Sequence, residues 1–363
     1  MNKVIGIGNQ GFDKIRENNY FYVDKTGFIK EWWESGDDVT LITRPRRFGK
    51  TLNMDMLKCF FSNKYAERTD LFEGLSIWKE EKYRELQGQY PVIFLSFANV
   101  KEGNVEAAKM QMKALIARMY EENRFLLEGN LLSENEKKMY RNVTMYMSDV
   151  EAVIAISTMC MYLERCYGKK SIILLDEYDT PMQEAYIHGY WEEFTGFMRS
   201  LFNATFKTNP YLERAIMTGI TRVSKESMFS DLNNLNVVTM TSTEYAAAFG
   251  FTEEESNQIK DVLLTADLYG IESHGMQRMG RYHKGIEKGT IHPQAKPEVV
   301  FETPISAVID GHNGMGQLIS VYAMKKAIEK AKKTGVGIVT VRESNHFGIA
   351  GYYAKMACDE GLL

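Results

Sequence analysis

Short apolar runs alternate with long amphipathic stretches over the first two thirds of the chain. Four runs rich in β-branched and other apolar residues predict buried strands, at 39–43, 91–97, 171–175 and 215–219. Apolar residues at helical spacing predict helices over 52–61, over 104–166 with a polar break near Ser133, and over 184–207. Strands that alternate with long helices predict crossover connections and a mainly parallel sheet, so the fold class is α/β.

The pattern begins again after Phe249. Helices are predicted at 253–266, 321–333 and 347–360, with strands at 307–310 and 337–342. Because no low-complexity linker separates the two parts, the boundary rests on motif content. We expect one domain over residues 1–252 and a second over 253–363.

Composition excludes several classes of protein. The 363 residues are 44% hydrophobic and 25% charged, with a formal net charge of −4, so no overall basic character favours nucleic acid or membrane binding. No apolar run reaches the roughly 18 residues that a membrane helix needs. The four cysteines are scattered, which is typical of reduced thiols, and no signal-peptide pattern is present. We therefore expect a cytoplasmic protein.

A phosphate-binding pattern follows the first predicted strand. Residues 44–51 read Arg-Pro-Arg-Arg-Phe-Gly-Lys-Thr and end like a Walker A motif. Gly49 would let backbone amides approach a phosphate, Lys50 would reach the terminal phosphates, and Thr51 would ligate Mg²⁺. Arg44 stands where the usual motif begins with glycine. The position between a strand and a helix N-terminus strengthens this otherwise weak signal.

An acidic pair follows the third predicted strand. Four apolar residues, 172–175, lead into Asp176 and Glu177, as in a Walker B motif. The strand would carry Asp176 to the sheet edge to hold Mg²⁺, and Glu177 would orient or deprotonate the attacking water. Two such motifs in this order predict a site for ATP and Mg²⁺.

Basic residues surround this predicted site. Arg46 and Arg47, together with Arg44, are predicted to contact the nucleotide phosphates, with a partner's acidic edge or nucleic acid as alternatives. The overall charge disfavours nucleic acid. Arg222, which follows the fourth strand, is either a sensor of the γ-phosphate or a surface arginine.

Residues 4 to about 252 resemble the AAA-ATPase-like family. The resemblance rests on residues 22–26 (Tyr-Val-Asp-Lys-Thr), 43–51, 174–179 (Leu-Leu-Asp-Glu-Tyr-Asp) and 218–222 (Thr-Gly-Ile-Thr-Arg). The Arg-Pro-Arg-Arg form of the loop is typical of that family, so the missing first glycine is a family trait. The resemblance implies ATP binding and hydrolysis.

Two histidine motifs lie in the last third of the chain, which holds five of the six histidines. His274 lies in a glycine-flanked turn, and Arg278 four residues later is suited to bind a carboxylate. His346 ends a predicted strand beside a helix N-terminus, where it is well placed for proton transfer. Each histidine taken alone is more typical of a capping or packing residue.

Residues from about 250 to 363 resemble the first part of the malate/L-lactate dehydrogenase family of the non-Rossmann type, which includes ureidoglycolate dehydrogenase. The resemblance rests on residues 267–275, 310–317 and 344–348. It implies NAD(P) as cofactor and His346 as the proton acceptor. It also implies a substrate and nicotinamide site lined by Ser273, His274 and Arg278.

Members of that family have more than twice as many residues after the Ser-His-Gly turn. We therefore expect a truncated α/β fragment without dehydrogenase activity of its own, because an incomplete site does not hold the reactants in place. Residues 249–255 suit both families, which suggests that two separate sequences were joined there.

The leading prediction is thus a Mg²⁺-dependent ATPase with an unspecified protein client or self-association, carrying an inactive dehydrogenase fragment. The alternative is an NAD(P)-dependent oxidoreductase acting on a 2-hydroxy acid. A nucleotide-switched interaction module without catalysis fits the first part equally well.

Overall fold

The computed structural model describes most of the chain in two compact units, of which the second consists mainly of Phe249–Leu363. The described residues are 9–46, 48–220, 229, 232–239, 242, 244–245, 248–249 and 253–363.

The first unit is built on a five-stranded sheet in the order β2-β3-β4-β1-β5, and every neighbouring pair is parallel. Its strands are β1 (Val39–Thr43), β2 (Val92–Ser96), β3 (Ser171–Asp176), β4 (Leu212–Gly219) and β5 (Leu235–Val238). Every residue of β1 and β3 is buried. Strands buried on both faces read as continuous apolar runs, which is why the sequence reveals them.

Nine α-helices accompany this sheet within the described residues. They are α1 (Phe12–Glu17), α2 (Gly27–Ser35), α3 (Lys50–Phe61), α4 (Glu81–Leu86), α5 (Val105–Glu121), α6 (Glu134–Asn142), α7 (Asp149–Tyr167), α8 (Thr180–Ile187) and α9 (Trp191–Phe202). The polar break expected near Ser133 is a helix start: Ser133 caps α6, and its side chain and that of Glu136 bond reciprocally to each other's backbone N–H.

The second unit contains a smaller sheet in the order β6-β7-β8. Its elements are α10 (Glu253–Leu268), α11 (Met279–Lys288), β6 (Glu298–Glu302), β7 (Ser306–Gly314), α12 (Gly316–Thr334), β8 (Ile338–Ser344) and α13 (Ala350–Asp359). The pair β6 and β7 is antiparallel, and the pair β7 and β8 is parallel. Apolar residues of α12 pack on Ile309 of β7, whereas six of the seven residues of β8 are exposed.

Several described elements were not predicted from the hydrophobic pattern, among them β5, β6 and α11. Strands β5 and β6 are short, with burial patterns in which one residue or none is fully buried, so neither shows a clear apolar run. Helix α11 carries only two buried residues, Tyr282 and Ile286, among charged and polar neighbours. Each of the three depends on tertiary neighbours more than on its own sequence.

Residues that follow β5 complete the first unit. The backbone N–H of Tyr245 donates to Glu31 at 2.6 Å, and its buried ring meets Phe28 edge to face. Further along, Asn53 of α3 donates to the carbonyl oxygen of Ala248 at 2.8 Å. The first unit therefore extends along the chain to Ala248.

None of the helices in the described ranges is both long enough and apolar enough to cross a membrane.

Candidate functional site

The loop between β1 and α3 is shaped by one glycine. Gly49, immediately before α3, has φ 79° and ψ 14°, a left-handed conformation that costs glycine least. Lys50 is the first residue of the helix. The α3 N-terminus therefore opens directly from this turn, and its free backbone N–H groups favour an anion there.

The side chain of Lys50 folds back into the same loop. Its ammonium donates to the carbonyl oxygens of Arg44 and Pro45, each at 2.9 Å, and the residue is only 6% exposed. Carbonyl oxygens hold a cation without neutralising its charge. The loop thus concentrates a positive charge at the start of α3.

Asp176 lies where the ends of two strands meet the first turn of α3. One carboxylate oxygen accepts a hydrogen bond from the Thr51 hydroxyl at 2.7 Å, and the other accepts one from Thr218. Asp176 is 2% exposed, at the end of β3, and Thr218 lies near the end of β4. The structure therefore brings together Thr51 and Asp176, which the sequence pairs only by motif, and adds Thr218.

Glu177 is the first residue after β3, and its backbone is left-handed with φ 53°. A non-glycine residue in this region is uncommon, and such positions cluster at functional sites. The half-buried side chain accepts a hydrogen bond from Thr180 at 3.2 Å. The side chains of Asp176 and Glu177 therefore point in different directions, although the two residues are adjacent in the chain.

Close packing holds this turn against the end of β4. The backbone N–H of Tyr178 donates to the Thr218 carbonyl at 3.0 Å, and that of Ile220 donates to Asp179 at 2.9 Å. A Cβ atom on Gly219 would come within 2.6 Å of the Tyr178 ring. Position 219 therefore admits no side chain without movement of this turn.

The arginines predicted to contact the nucleotide differ in their surroundings. Arg44 is 3% exposed, and its guanidinium donates to the carbonyl oxygens of Thr43, Val238 and Glu244. These contacts connect β1 to the segment that contains β5, and a contact of Arg44 with nucleotide phosphates stays a prediction. Arg46 is exposed on the turn. Arg47 and Arg222 lie outside the described residues.

The side chains present fit a magnesium ion and a nucleotide. Mg²⁺ prefers oxygen ligands and usually binds one or two carboxylates together with substrate phosphates and water. Asp176 supplies a buried carboxylate with a hydroxyl on each oxygen. Among the described residues, no group of three or more His, Cys, Asp or Glu side chains could hold a metal ion by itself.

Two of the five histidines of the second unit lie together at the other predicted site. The rings of His274 and His346 have centroids 5.2 Å apart, although the residues are 72 positions apart in the chain. The Ser273 hydroxyl lies 2.9 Å from Nδ1 of His274, and Arg278 donates to the Ser273 carbonyl. All four residues named by the dehydrogenase resemblance therefore belong to one constellation.

Two residues absent from the sequence predictions support His346. The Tyr282 hydroxyl of α11 lies 2.8 Å from Nδ1 of His346, and Gln317 of α12 donates to that hydroxyl at 2.7 Å. Both Tyr282 and Gln317 are buried. The sequence offers only weak signals for them: Tyr282 lies one helical turn after Arg278, and Gln317 ends the 310–317 stretch that carries the dehydrogenase resemblance.

Burial lowers the pKa of His346 below its usual value, and the positive charges of Arg278 and Arg281 act in the same direction, as does His274. The backbone of this segment is fixed by Asn345, whose side chain donates to the carbonyl oxygens of Asn313 and Gly314. The neutral imidazole is therefore the favoured form in a well-anchored loop.

Two family models match the chain in sequence order. The AAA-ATPase-like model, described as Predicted AAA-ATPase, matches residues 6–229. The Malate/L-lactate dehydrogenase model matches residues 235–363. The second match begins at β5, which the structure places in the first sheet.

Individual relatives cover parts of the chain. Malate dehydrogenase from Pyrococcus abyssi is 46% identical over 142 residues, which are 39% of this chain and 36% of the relative. A protein from Azotobacter chroococcum, described as an uncharacterized protein in the vnfD 5′ region, is 29% identical over 272 residues, 74% of this chain and 46% of that protein. The chain thus spans less than half the length of these relatives.

A solved structure gives the same partial coverage. Malate dehydrogenase from Pyrococcus horikoshii OT3 is 45% identical over a match that covers 39% of this chain and 38% of the dehydrogenase chain, with a TM-score of 0.31. Since the AAA-ATPase-like model accounts for more than half of the residues, the chain belongs to the AAA-ATPase-like family and carries a malate/L-lactate dehydrogenase-like domain after it.

Proposed function

We propose that the first unit binds ATP with Mg²⁺ and hydrolyses it. One observation carries the proposal: Thr51, Asp176 and Thr218 meet through hydrogen bonds beside Lys50, where the strands of a parallel sheet end. Ligands of open α/β sheets bind outside the carboxyl ends of the strands. The family membership and the sheet order, with β4 between the strands that precede Lys50 and Asp176, support the same function.

Each residue has a separate role in this proposal. Lys50 holds the terminal phosphates, and the Gly49 turn exposes backbone N–H groups to them. Thr51 and Asp176 hold the metal ion, which when bound neutralises charge on the phosphate oxygens. Glu177 orients the attacking water and takes its proton. Thr218 fixes the Asp176 carboxylate, so it is a positioning residue.

The test is the substitution Glu177→Gln. We expect hydrolysis of MgATP to fall by about 100-fold or more, because the amide cannot accept a proton, while ATP affinity stays within about threefold. Phosphate release and binding of a fluorescent ATP analogue measure the two effects. The control is Glu192→Gln, a substitution of an exposed glutamate on α9.

Unchanged hydrolysis in the Glu177→Gln variant would contradict the assignment of Glu177. Saturable ATP binding without hydrolysis by the unsubstituted protein would instead support the nucleotide-switched interaction module.

A second candidate function belongs to the second unit. We propose that its His274 and His346 constellation is an organic-acid site of the dehydrogenase type, with Arg278 for a carboxylate and NAD(P) as the cofactor. The hydrogen-bonded series His346, Tyr282 and Gln317 favours this candidate, because buried polar groups around one histidine fix its orientation. The 142 residues of this chain that match a dehydrogenase relative cover 36% of that relative.

A further inference from the structure

The protonation state of His346 can be deduced from its neighbours. Two groups lie within hydrogen-bond distance of Nδ1 of the ring: the Tyr282 hydroxyl at 2.8 Å and the backbone N–H of Gly348 at 3.3 Å. A backbone N–H can only donate. Nδ1 must therefore accept, which leaves the proton of the neutral imidazole on Nε2.

The neighbours of Tyr282 agree with this direction. Gln317 donates its amide to the Tyr282 oxygen at 2.7 Å, so the tyrosine proton is free to point at His346. Tyr282 is 3% exposed, and burial raises its pKa, so it keeps its proton at neutral pH. If the Gln317 amide were turned by 180°, its oxygen would accept the tyrosine proton, and the tyrosine oxygen would accept a proton from Nδ1. Nδ1–H and the Gly348 N–H would then be two donors that face each other.

The opposite nitrogen is available to a ligand. Nε2 of His346 has no hydrogen-bond partner in the part of the chain that the structure describes, and the residue is partly exposed. The charged and titratable groups that act on the ring are Arg278, Arg281 and His274, which disfavour a further positive charge. The site thus combines a neutral N–H donor with nearby cations.

We propose that Tyr282 is a positioning residue that, with the Gly348 N–H, holds neutral His346 as the Nε2–H tautomer. The ring then presents a hydrogen-bond donor to an oxygen acceptor, the carbonyl group of a 2-oxo acid, whose carboxylate faces Arg278. This inference rests on the second candidate function and deepens it.

The tautomer distinguishes two roles for His346. A ring that carries its proton on Nε2 can polarise a carbonyl oxygen, as a neutral histidine does in other enzymes. It cannot accept a proton at Nε2 unless its own proton first moves to Nδ1, which breaks the bond from Gly348. The resting site therefore favours the carbonyl form of a substrate over the alcohol form.

Nitrogen NMR of the full chain with ¹⁵N-labelled histidine tests the proposal. The His346 signals are those lost in His346→Gln. We expect an unprotonated Nδ1 and a protonated Nε2 at neutral pH. In Tyr282→Phe, the loss of one donor to the neutral ring raises the pKa of His346 by about half a unit to one unit. Tyr352→Phe, on α13 without a hydrogen bond to His346, is the matched control.

A proton on Nδ1 in the unsubstituted protein would overturn the tautomer assignment. A pKa for His346 that is the same in Tyr282→Phe and Tyr352→Phe would overturn the role of Tyr282. Backbone amide spectra of both variants show whether the second unit keeps its fold, so a general loosening is recognised directly.

A ligand titration separates this inference from the function on which it rests. We expect pyruvate to shift the Nε2 signal of His346 and lactate to shift it several-fold less at equal concentration. Equal shifts would overturn the preference for a carbonyl. If neither acid shifts the signal while the tautomer is as expected, the second candidate function fails and the assignment of the ring stands.

Discussion

The two candidate sites differ in the contacts that hold their central side chains, Asp176 and His346, in place. In the first unit, Asp176 is held by hydroxyls from α3 and β4, and the strands beneath it are buried on both faces. In the second unit, His346 follows β8, an edge strand that is largely exposed, and depends on Tyr282 from a helix. Strand pairing fixes the positions of residues at the end of a buried sheet, whereas residues beside an exposed edge strand need side-chain contacts from other elements.

The largest expected effect is on the stability of the first unit, and it depends on the residue at which this unit ends. A chain that stops at residue 234 loses β5 and leaves buried Arg44 without the carbonyl oxygens of Val238 and Glu244. A hydrogen bond made by a charged group contributes about 1.5–3 kcal/mol, so the loss of two, together with a strand neighbour of β1, removes a large share of a domain's stability. We expect this chain to lose cooperative unfolding, as followed by calorimetry.

A chain that stops at residue 248 is the matched comparison. It keeps β5, Tyr245 and the Ala248 carbonyl that bonds Asn53, and we expect it to unfold cooperatively and to bind ATP. Equal behaviour of the two truncated chains would show that residues 235–248 do not belong to the nucleotide-binding unit.

The next effect concerns the metal ion at Asp176. Asp176→Asn keeps the shape of the side chain and removes its negative charge, so we expect the affinity for MgATP to fall by about 10- to 100-fold. Binding in EDTA should change little. Calorimetric titration with and without Mg²⁺ measures both values, and Thr51→Ser, which retains a hydroxyl, is the control. Loss of binding in EDTA to the same degree would assign Asp176 to the fold instead of the metal.

The smallest effect concerns the pH dependence of the second region. Because the pKa of His346 is lowered in the folded state, the unfolded chain binds a proton more readily. The contribution of His346 is complete above the ordinary histidine pKa of about 6.5 and decreases as the pH falls below it. In His346→Gln this contribution is absent.

The expected difference is small because the group is partly exposed and screened by solvent. Between pH 7.5 and pH 5.5, the melting temperature of the second unit should fall about 1–3 °C further in the unsubstituted protein than in His346→Gln. Thermal unfolding of both proteins at the two pH values measures it. An equal fall in both would show that other groups govern acid sensitivity there.

The sequence by itself determined the elements whose burial is complete. The strands β1 and β3 are continuous apolar runs, and the motifs at their ends are enough to place Lys50, Thr51, Asp176 and Glu177 at the sheet edge. The histidine motifs likewise identify His274 and His346. Local sequence suffices for these residues because the position of a residue at the end of a strand or the start of a helix follows from the nearby chain.

Only the tertiary structure decided which side chains meet. Arg44 lies in a phosphate-loop motif, yet its guanidinium bonds carbonyl oxygens of residues about 200 positions away. Thr218, Tyr282 and Gln317 were given no role from the sequence, and they become significant through contacts that span 42, 64 and 35 positions. Strand β5 is too short to be read from its pattern, because its stability comes from pairing with β1. Such contacts depend on the relative placement of distant elements, which periodicity and motif spacing do not encode.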